Sequence, residues 1–450
     1  MLSRRAQLYQ KAAKIFGIAI LAACSLVGQE AKKKEWKSRE EYDLYDAITK
    51  EAAPAKKIEL LNTWKEKFPN TDYDKERKLL YINAYASLGK FDDLLAVAGQ
   101  ILASDPEDLT SLYWISEMTP KLGKTDAAFL DNSEKVCTSL LNNLDVLFSG
   151  ARKPGPMSED QWKAAKLDMQ KRALRCLAYV QKEKKNWEAA EKTVTQLLTI
   201  NPADAEASYW MYTIIRSGGK PERRSAAFWH LARSASLTGQ GAWPDAQRKQ
   251  VDEFFVKAYN AYHGPDEQGL AELRKAALAS PLPPEGFYIK TATEIAAEKE
   301  MEFRKSNPQL AFWLGLRKEL AGENGAAFFE SMKGAALPGV IEGADGNKYT
   351  KLKGKLITHR PAVNPKELVL GLQDATNPDV TLKLETPLRG RAEPGTEIQF
   401  EGVAVAFTKE PFNLVFEVEN DKLVGWPAQS AAPAAKKAVG GVKKAAGKKK

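Results

Sequence analysis

The chain has 450 residues, with 67 lysines and arginines against 58 aspartates and glutamates, a formal net charge of +9. The excess is uneven: residues 1–23 hold four basic residues, residues 428–450 hold seven, and neither segment holds an acid. Removing those eleven charges leaves −2 for residues 24–427, a near-neutral body that argues against nucleic acid as the main ligand of the folded part.

The first residues predict an export signal. Arg4, Arg5, Lys11 and Lys14 precede a short apolar run, Ile15–Cys24. It is shorter than the roughly 20 apolar residues of a bilayer-spanning helix, so a signal peptide at residues 1–23 is expected. Its end, Leu21-Ala22-Ala23-Cys24-Ser25, resembles the lipobox of bacterial lipoproteins. That resemblance implies acylation of the Cys24 thiol and anchoring through acyl chains, about 0.8 kcal/mol per buried methylene, with a soluble body outside the membrane. An ordinary cleaved signal and a periplasmic or secreted soluble protein are the alternative. Residues 24–37 read as a polar tether.

Helical patterns begin at Ser38-Arg39-Glu40-Glu41, a cap with an acidic first turn. They run in pairs across residues 38–280: 41–51 with 55–67, 73–88 with 91–104, 107–121 with 125–147, 161–182 with 187–200, 203–215 with 221–237, and 245–263 with 266–279. Six pairs exceed the three that a stacked array needs to bury a continuous core. Pro281-Leu282-Pro283-Pro284 breaks the array, and residues 281–345 read as a linker domain with three shorter helices, 291–305, 309–320 and 325–332. From Gly346 the period becomes two: Leu352, Gly354, Leu356; Leu368, Leu370, Leu372; Val380, Leu382, Leu384; Ile398, Phe400; Val403, Val405, Phe407; Leu414, Phe416, Val418. Five or six such strands predict a small barrel at residues 346–427 that looks like an OB-type domain. Residues 428–450, rich in lysine and alanine, are expected to be disordered.

The array also repeats itself. Asp105–Lys124 returns at Asn201–Lys220 with no gap, at a constant offset of 96: Pro106 matches Pro202, Asp108 matches Asp204, Tyr113-Trp114 match Tyr209-Trp210, and Gly123-Lys124 match Gly219-Lys220. Each copy opens on Asp/Asn-Pro and an acid, which reads as a proline-started helix, and closes on a glycine stop. Amphipathic segments led by Phe91 and by Trp187 precede the two copies. These features resemble the tetratricopeptide repeat, a degenerate unit of about 34 residues. Residues 75–108 match at Tyr85, Gly89, Phe91 and Pro106. Residues 174–204 match at Leu177, Ala178, Trp187, Ala190 and Pro202, with Lys185-Asn186 where the family has a turn glycine. Because 96 is not a multiple of 34, an insertion of about 28 residues is expected, placed at Asn142–Glu159. The fold class is therefore mostly α, a helical-repeat solenoid followed by a small all-β domain and a basic tail.

No catalytic constellation emerges. His230, His263 and His359 are scattered outside any metal-ligand spacing, and packing or capping roles are expected for them. Cys137 and Cys176 lie on apolar stretches, and two buried free thiols are expected in preference to a bridge. The doublets Tyr113-Trp114 and Tyr209-Trp210 are the candidate partner-binding residues. Neighbours on a helix point about 100° apart, so one ring of each pair can face a groove while the other packs. The resulting expectation is a non-enzymatic scaffold of the bacterial cell envelope, without cofactor or metal, that binds an envelope protein or peptide in the concave face of the solenoid. The alternative is a polyanion binder, for polysaccharide or nucleic acid, acting through the β domain and lysine tail; that tail also suits anionic lipid.

Overall fold

The computed structural model describes residues 34–344 and 346–427. Cys24, the expected signal peptide, most of the tether and the lysine-rich tail lie outside the described residues. The chain divides into two compact units, with the boundary along the sequence between Thr291 and Ala292.

The first unit is an array of helix pairs: α1 (Arg39–Lys50) and α2 (Pro54–Lys67), α3 (Asp74–Leu88) and α4 (Phe91–Ser104), α5 (Leu109–Leu122) and α6 (Ala127–Asn142), α8 (Glu159–Glu183) and α9 (Trp187–Ile200), α10 (Ala205–Ser217) and α11 (Arg224–Ser236), α12 (Asp245–His263) and α13 (Glu267–Ala279). A four-residue helix, α7 (Leu144–Leu147), and a single 3₁₀ turn fill the expected insertion between α6 and α8. Side-chain caps set several starts. Ser38 accepts from the Glu41 amide at 3.2 Å, and Ser158 and Gln161 form a reciprocal capping box on α8. The repeated segment starts its helices differently from the proline-led reading. Asp108 and Asp204 are the caps, accepting from Ser111 N at 2.8 Å and Ala207 N at 2.9 Å, while Pro106 and Pro202 stay two residues upstream in the connecting turn. Proline fixes φ but has no side-chain acceptor, so the aspartate takes the orphan amide.

The turns repeat as well. Gly89, Gly123 and Gly219 have φ of 69°, 66° and 72°, and Lys185, in the unit without the turn glycine, takes the same left-handed conformation at 60°. The geometry of the turn is thus retained at a non-glycine position.

The part of the expected tether that is described is docked. Trp36 stacks on Tyr73 with ring centroids 3.8 Å apart, and Lys37 pairs with Asp72 at 2.9 Å. Beneath it, wholly buried Glu41 accepts from Trp64 Nε1 at 2.9 Å. At the other end, residues 281–291, expected in the linker domain, belong to the first unit: Phe287 packs edge-on to Trp229, centroids 4.9 Å apart, and Ile289 N donates to Ser225 Oγ at 2.9 Å.

The second unit begins with α14 (Ala292–Ser306), α15 (Pro308–Ala321) and α16 (Gly325–Met332). Trp313, Leu316 and Leu320 of α15 and Phe329 of α16 share one core with the sheet, so these helices are part of the β domain's own packing. The strands are β1 (Ala336–Leu337), β2 (Ile341–Glu342), β3 (Lys348–Tyr349), β4 (Leu352–Arg360), β5 (Glu367–Gly371), β6 (Val380–Leu384), β7 (Glu397–Phe400), β8 (Gly402–Thr408), β9 (Asn413–Val418) and β10 (Leu423–Val424). The main sheet runs β1-β8-β9-β6-β5-β4-β7-β10, antiparallel except for β6 with β9; β2 and β3 form a separate hairpin. Only Glu401 separates β7, which pairs with β4, from β8, which pairs with β9, so the sheet curls into the expected barrel-like domain. On β8 the inward face is Gly402 and Ala404, not the predicted Val403 and Val405, because the strands approach too closely for larger groups: a Cβ on Gly402 would lie 2.7 Å from Val418 Cγ2. Asp379, fully buried, accepts from Leu372 N at 2.8 Å and from Arg317 Nη1 at 2.6 Å, tying α15 to the sheet.

The two cysteines are bridged, contrary to the free thiols expected. Cys137 on α6 and Cys176 on α8 form a disulfide with Cα atoms 6.4 Å apart, which the packing of α8 against α6 brings about. Opening a bridge across a sequence separation of 39 should cost about 4 kcal/mol in the chain-entropy picture. Urea unfolding of the Cys137→Ser/Cys176→Ser variant should show that loss, and reductant should lower the wild-type midpoint but leave the variant's unchanged.

Candidate partner-binding face

Among the first helices of successive pairs, α5 carries Tyr113 and Trp114 and α10 carries Tyr209 and Trp210, and α3 and α8 precede them. Their caps tie them together. Asp108 Oδ2 lies 3.1 Å from Lys75 Nζ of α3, and Asp204 pairs with Arg175 of α8 while accepting from Asn201 Nδ2 at 2.9 Å. Arg175 also pairs with Glu206 and lies over the Trp210 ring, 5.3 Å from its centroid. One turn earlier Arg172 lies 4.7 Å over Tyr113 and pairs with Glu117 and, at 2.7 Å, with Asp168. Burial raises the Tyr113 pKa, with Arg172 opposing the shift. The phenol stays neutral at physiological pH.

The four candidate aromatics do not converge on one site. Tyr113 is half-buried against the cluster around Leu112, Leu140 and Trp162, and half-buried Trp114 packs on a different one around Ile82 and Leu94. Trp210 is 9% exposed and belongs to the large core cluster, roofed by Arg175. Tyr209 is half-buried, and it opens a ladder of rings that the sequence reading did not assemble. Its ring is 6.3 Å from Trp243 and 6.1 Å from Tyr212, and Tyr212 meets Phe254 edge-on at 5.8 Å. Phe254 ends the ladder 42% exposed. Trp243 is held by a bond from its Nε1 to Ser234 Oγ at 2.8 Å and by the Gly241 turn, φ +83°, where a Cβ would lie 1.6 Å from Ala203 O.

One signal for this ladder was present. Phe254-Phe255 is an aromatic doublet on a helix like the two that were picked out, with Phe255 fully buried and Phe254 turned outward. Trp243 offered no such signal, because it lies between Gly241 and Pro244 in a connection and meets Tyr209 only through the fold.

The described residues contain no group of three or more His, Cys, Asp or Glu side chains able to hold a metal ion, and no helix long and apolar enough to cross a membrane. His263 serves structure: its Nδ1 lies 2.8 Å from Lys290 O and its Nε2 lies 3.2 Å from Asp266, the cap of α13. In the second unit a cleft of about 310 Å³ is lined by Asn307, Tyr349, Lys353, Lys355 and Gln373 among others. No protein-family model and no curated protein sequence matches the chain.

Two measurements separate packing from display on this face. Trp210→Ala should lower stability by about 3–5 kcal/mol, the cost of emptying a buried aromatic site. Phe254→Ala should change it by less than about 1 kcal/mol, since a partly exposed ring leaves no closed cavity; both read from chemical unfolding. A third concerns His230, which burial, reinforced by Arg233 and Arg223, pushes down to about 3. Its unfolded form binds a proton below about 6.5, while the folded form stays neutral. Stability should therefore be fully present above that pH and fall by about 2 kcal/mol from pH 7 to pH 5, a slope that His230→Leu should remove.

Proposed function

We propose that this protein is a non-enzymatic interaction scaffold of a bacterial cell envelope, in which a tetratricopeptide-like array binds a partner protein or peptide along the face of its first helices. The observation that carries the reading is the ladder Trp243–Tyr209–Tyr212–Phe254, in which Tyr212 belongs to the core and the terminal Phe254 is exposed. Rings set in a rigid frame lose little entropy on binding and supply most of the energy in peptide-recognition sites. The Cys137–Cys176 bridge supports an exported body, since disulfides persist in oxidising compartments. The lipobox-like Leu21–Cys24 supports a lipid anchor on a membrane facing the periplasm or exterior. The alternative, a polyanion binder, is supported by the outward Lys353, Lys355 and Lys383 on the sheet and by the lysines of residues 428–450.

A photo-crosslinking residue placed at 254, in chain expressed in a bacterium, tests the scaffold reading. It should yield a discrete crosslinked envelope protein, lost on Tyr209→Ala/Tyr212→Ala and retained on deletion of residues 428–450. Crosslinks that vanish with the tail deletion and return with added polyanion would favour the alternative. Intact mass, wild type beside Cys24→Ala, should show an acyl addition in the wild type only.

A further inference from the structure

We infer that one end of the barrel-like sheet, built around the 361–366 loop and the 389–391 turn, is a docking surface for an anionic lipid bilayer. The inference stands on the second unit and is independent of the scaffold reading.

The loop is rigid. Lys366 N donates to Arg360 O at 2.9 Å and closes its base. Asn364, left-handed at φ 56°, is clamped to the neighbouring turn twice: its amide donates to Gly390 O at 3.1 Å and its Oδ1 accepts from Gly390 N at 3.0 Å. A third bond, Leu388 N to Pro365 O at 3.0 Å, joins the same two segments. These bonds hold Val363 outward, 61% exposed, on a loop that cannot fold it back against the core. An aliphatic tip held outward by its own scaffold can enter an apolar surface without refolding the loop.

The tip is flanked by cations. Arg360, Lys366, Arg389 and Arg391 are exposed, and among the described residues the first three pair with no acid; Arg391 lies 4.0 Å from Glu393. Glu367, opposite Arg360 in the β4–β5 pairing, and Glu385, on the same connection as the two arginines, offset part of this charge. The chain supplies more. Trp426, half-buried, donates from Nε1 to Arg389 O at 3.0 Å and meets the His359 ring at 5.6 Å, so the chain leaves the described structure at this end. Residues 428–450 then add seven lysines and no acid. Basic side chains near an anionic leaflet contribute about 1 kcal/mol each, and a small apolar insertion adds to them at the headgroup boundary.

A bilayer suits this surface better than a nucleic acid. Single strands are held by aromatic faces on which bases stack. Here the exposed apolar group is a valine, and the nearby indole spends its N–H on the backbone. Valine beside arginine, with tryptophan at the rim, is the chemistry of the membrane interface.

The test uses the chain from Ser25 to Lys450, which keeps every described residue and omits any acyl anchor. With Cys137 and Cys176 bridged, Val363→Cys provides a single free thiol for a polarity-sensitive dye. Phosphatidylglycerol-containing vesicles should bind the protein and shift the dye emission to the blue, and pure phosphatidylcholine vesicles should do neither. Arg389→Gln/Arg391→Gln should weaken vesicle binding roughly thirtyfold, about 1 kcal/mol for each lost charge, with an unchanged circular dichroism spectrum. Vesicle binding with no dye shift would overturn the inference and leave attraction to the tail alone. A shift with an oligonucleotide and none with vesicles would replace the bilayer by nucleic acid.

Discussion

A carboxylate with almost no access to water needs partners on both oxygens, and Asp204 finds them in a way that also builds the array. At 3% exposure, it caps α10 with one oxygen and takes a charge-assisted bond from Arg175 of α8 with the other. Left alone, such a charge would cost several kcal/mol, so α8 and α10 are registered on each other with α9 packed between. Asp108 repeats the arrangement with Lys75, capping α5 and tying it to α3. Because each cap fixes where its helix begins, the aromatic doublet five and six residues later arrives at a fixed place on the first-helix face. Arg175, which neutralises Asp204, also roofs Trp210, while Tyr209 beside it turns to the ladder that ends at Phe254; over Tyr113 the roof is Arg172, whose acids are Glu117 and Asp168.

The second unit uses the same device once. Asp379, with no exposure, takes two backbone amides and Arg317, and so joins a helix to a sheet across 62 residues of chain. Arg317 in turn lies 4.9 Å over Phe412. In both units a buried acid, an arginine and an aromatic ring form one connected contact. The acid demands the cation, and the cation's flat face covers the ring.

Frames of this kind suit display. Phe254 stands in solvent because Phe255, its neighbour, is locked into the core, and Val363 stands in solvent because its loop is clamped to Gly390. Each apolar group is held where water is a poor partner, by hydrogen bonds and packing that belong to other residues. The free energy gained on covering such a group is kept for binding, because little ordering remains to be done.

Much of the fold was legible in the sequence because its signals are local. The 3.6-residue stripe, the Asp and Ser caps and the turn glycines each act within a few residues, so most helix limits were readable to within about two residues; the exceptions are the expected helix 125–147, which ends at Asn142 before the separate Leu144–Leu147 turn of helix, and 221–237, whose α-helix begins at Arg224. The self-match at Asp108 and Asp204 marked real structural equivalents. The period-two runs located the six long strands, and failed on β8 only where a close neighbour forces Gly402 and Ala404 inward. Pro106 and Pro202 were read as helix starts because proline and cap both favour the first turn; a hydrogen-bond acceptor decided for aspartate. The bridge between Cys137 and Cys176, the docking of Trp36 on Tyr73 and the ladder from Trp243 to Phe254 were not legible. Each joins residues roughly 30 to 45 apart, and whether a sulfur or a ring is covered depends on the surface opposite it, which no single segment specifies. The sequence by itself determined what each segment becomes. The tertiary structure alone decided which of its aromatic and charged groups remain facing water, because burial is a property of two packed surfaces and not of either one.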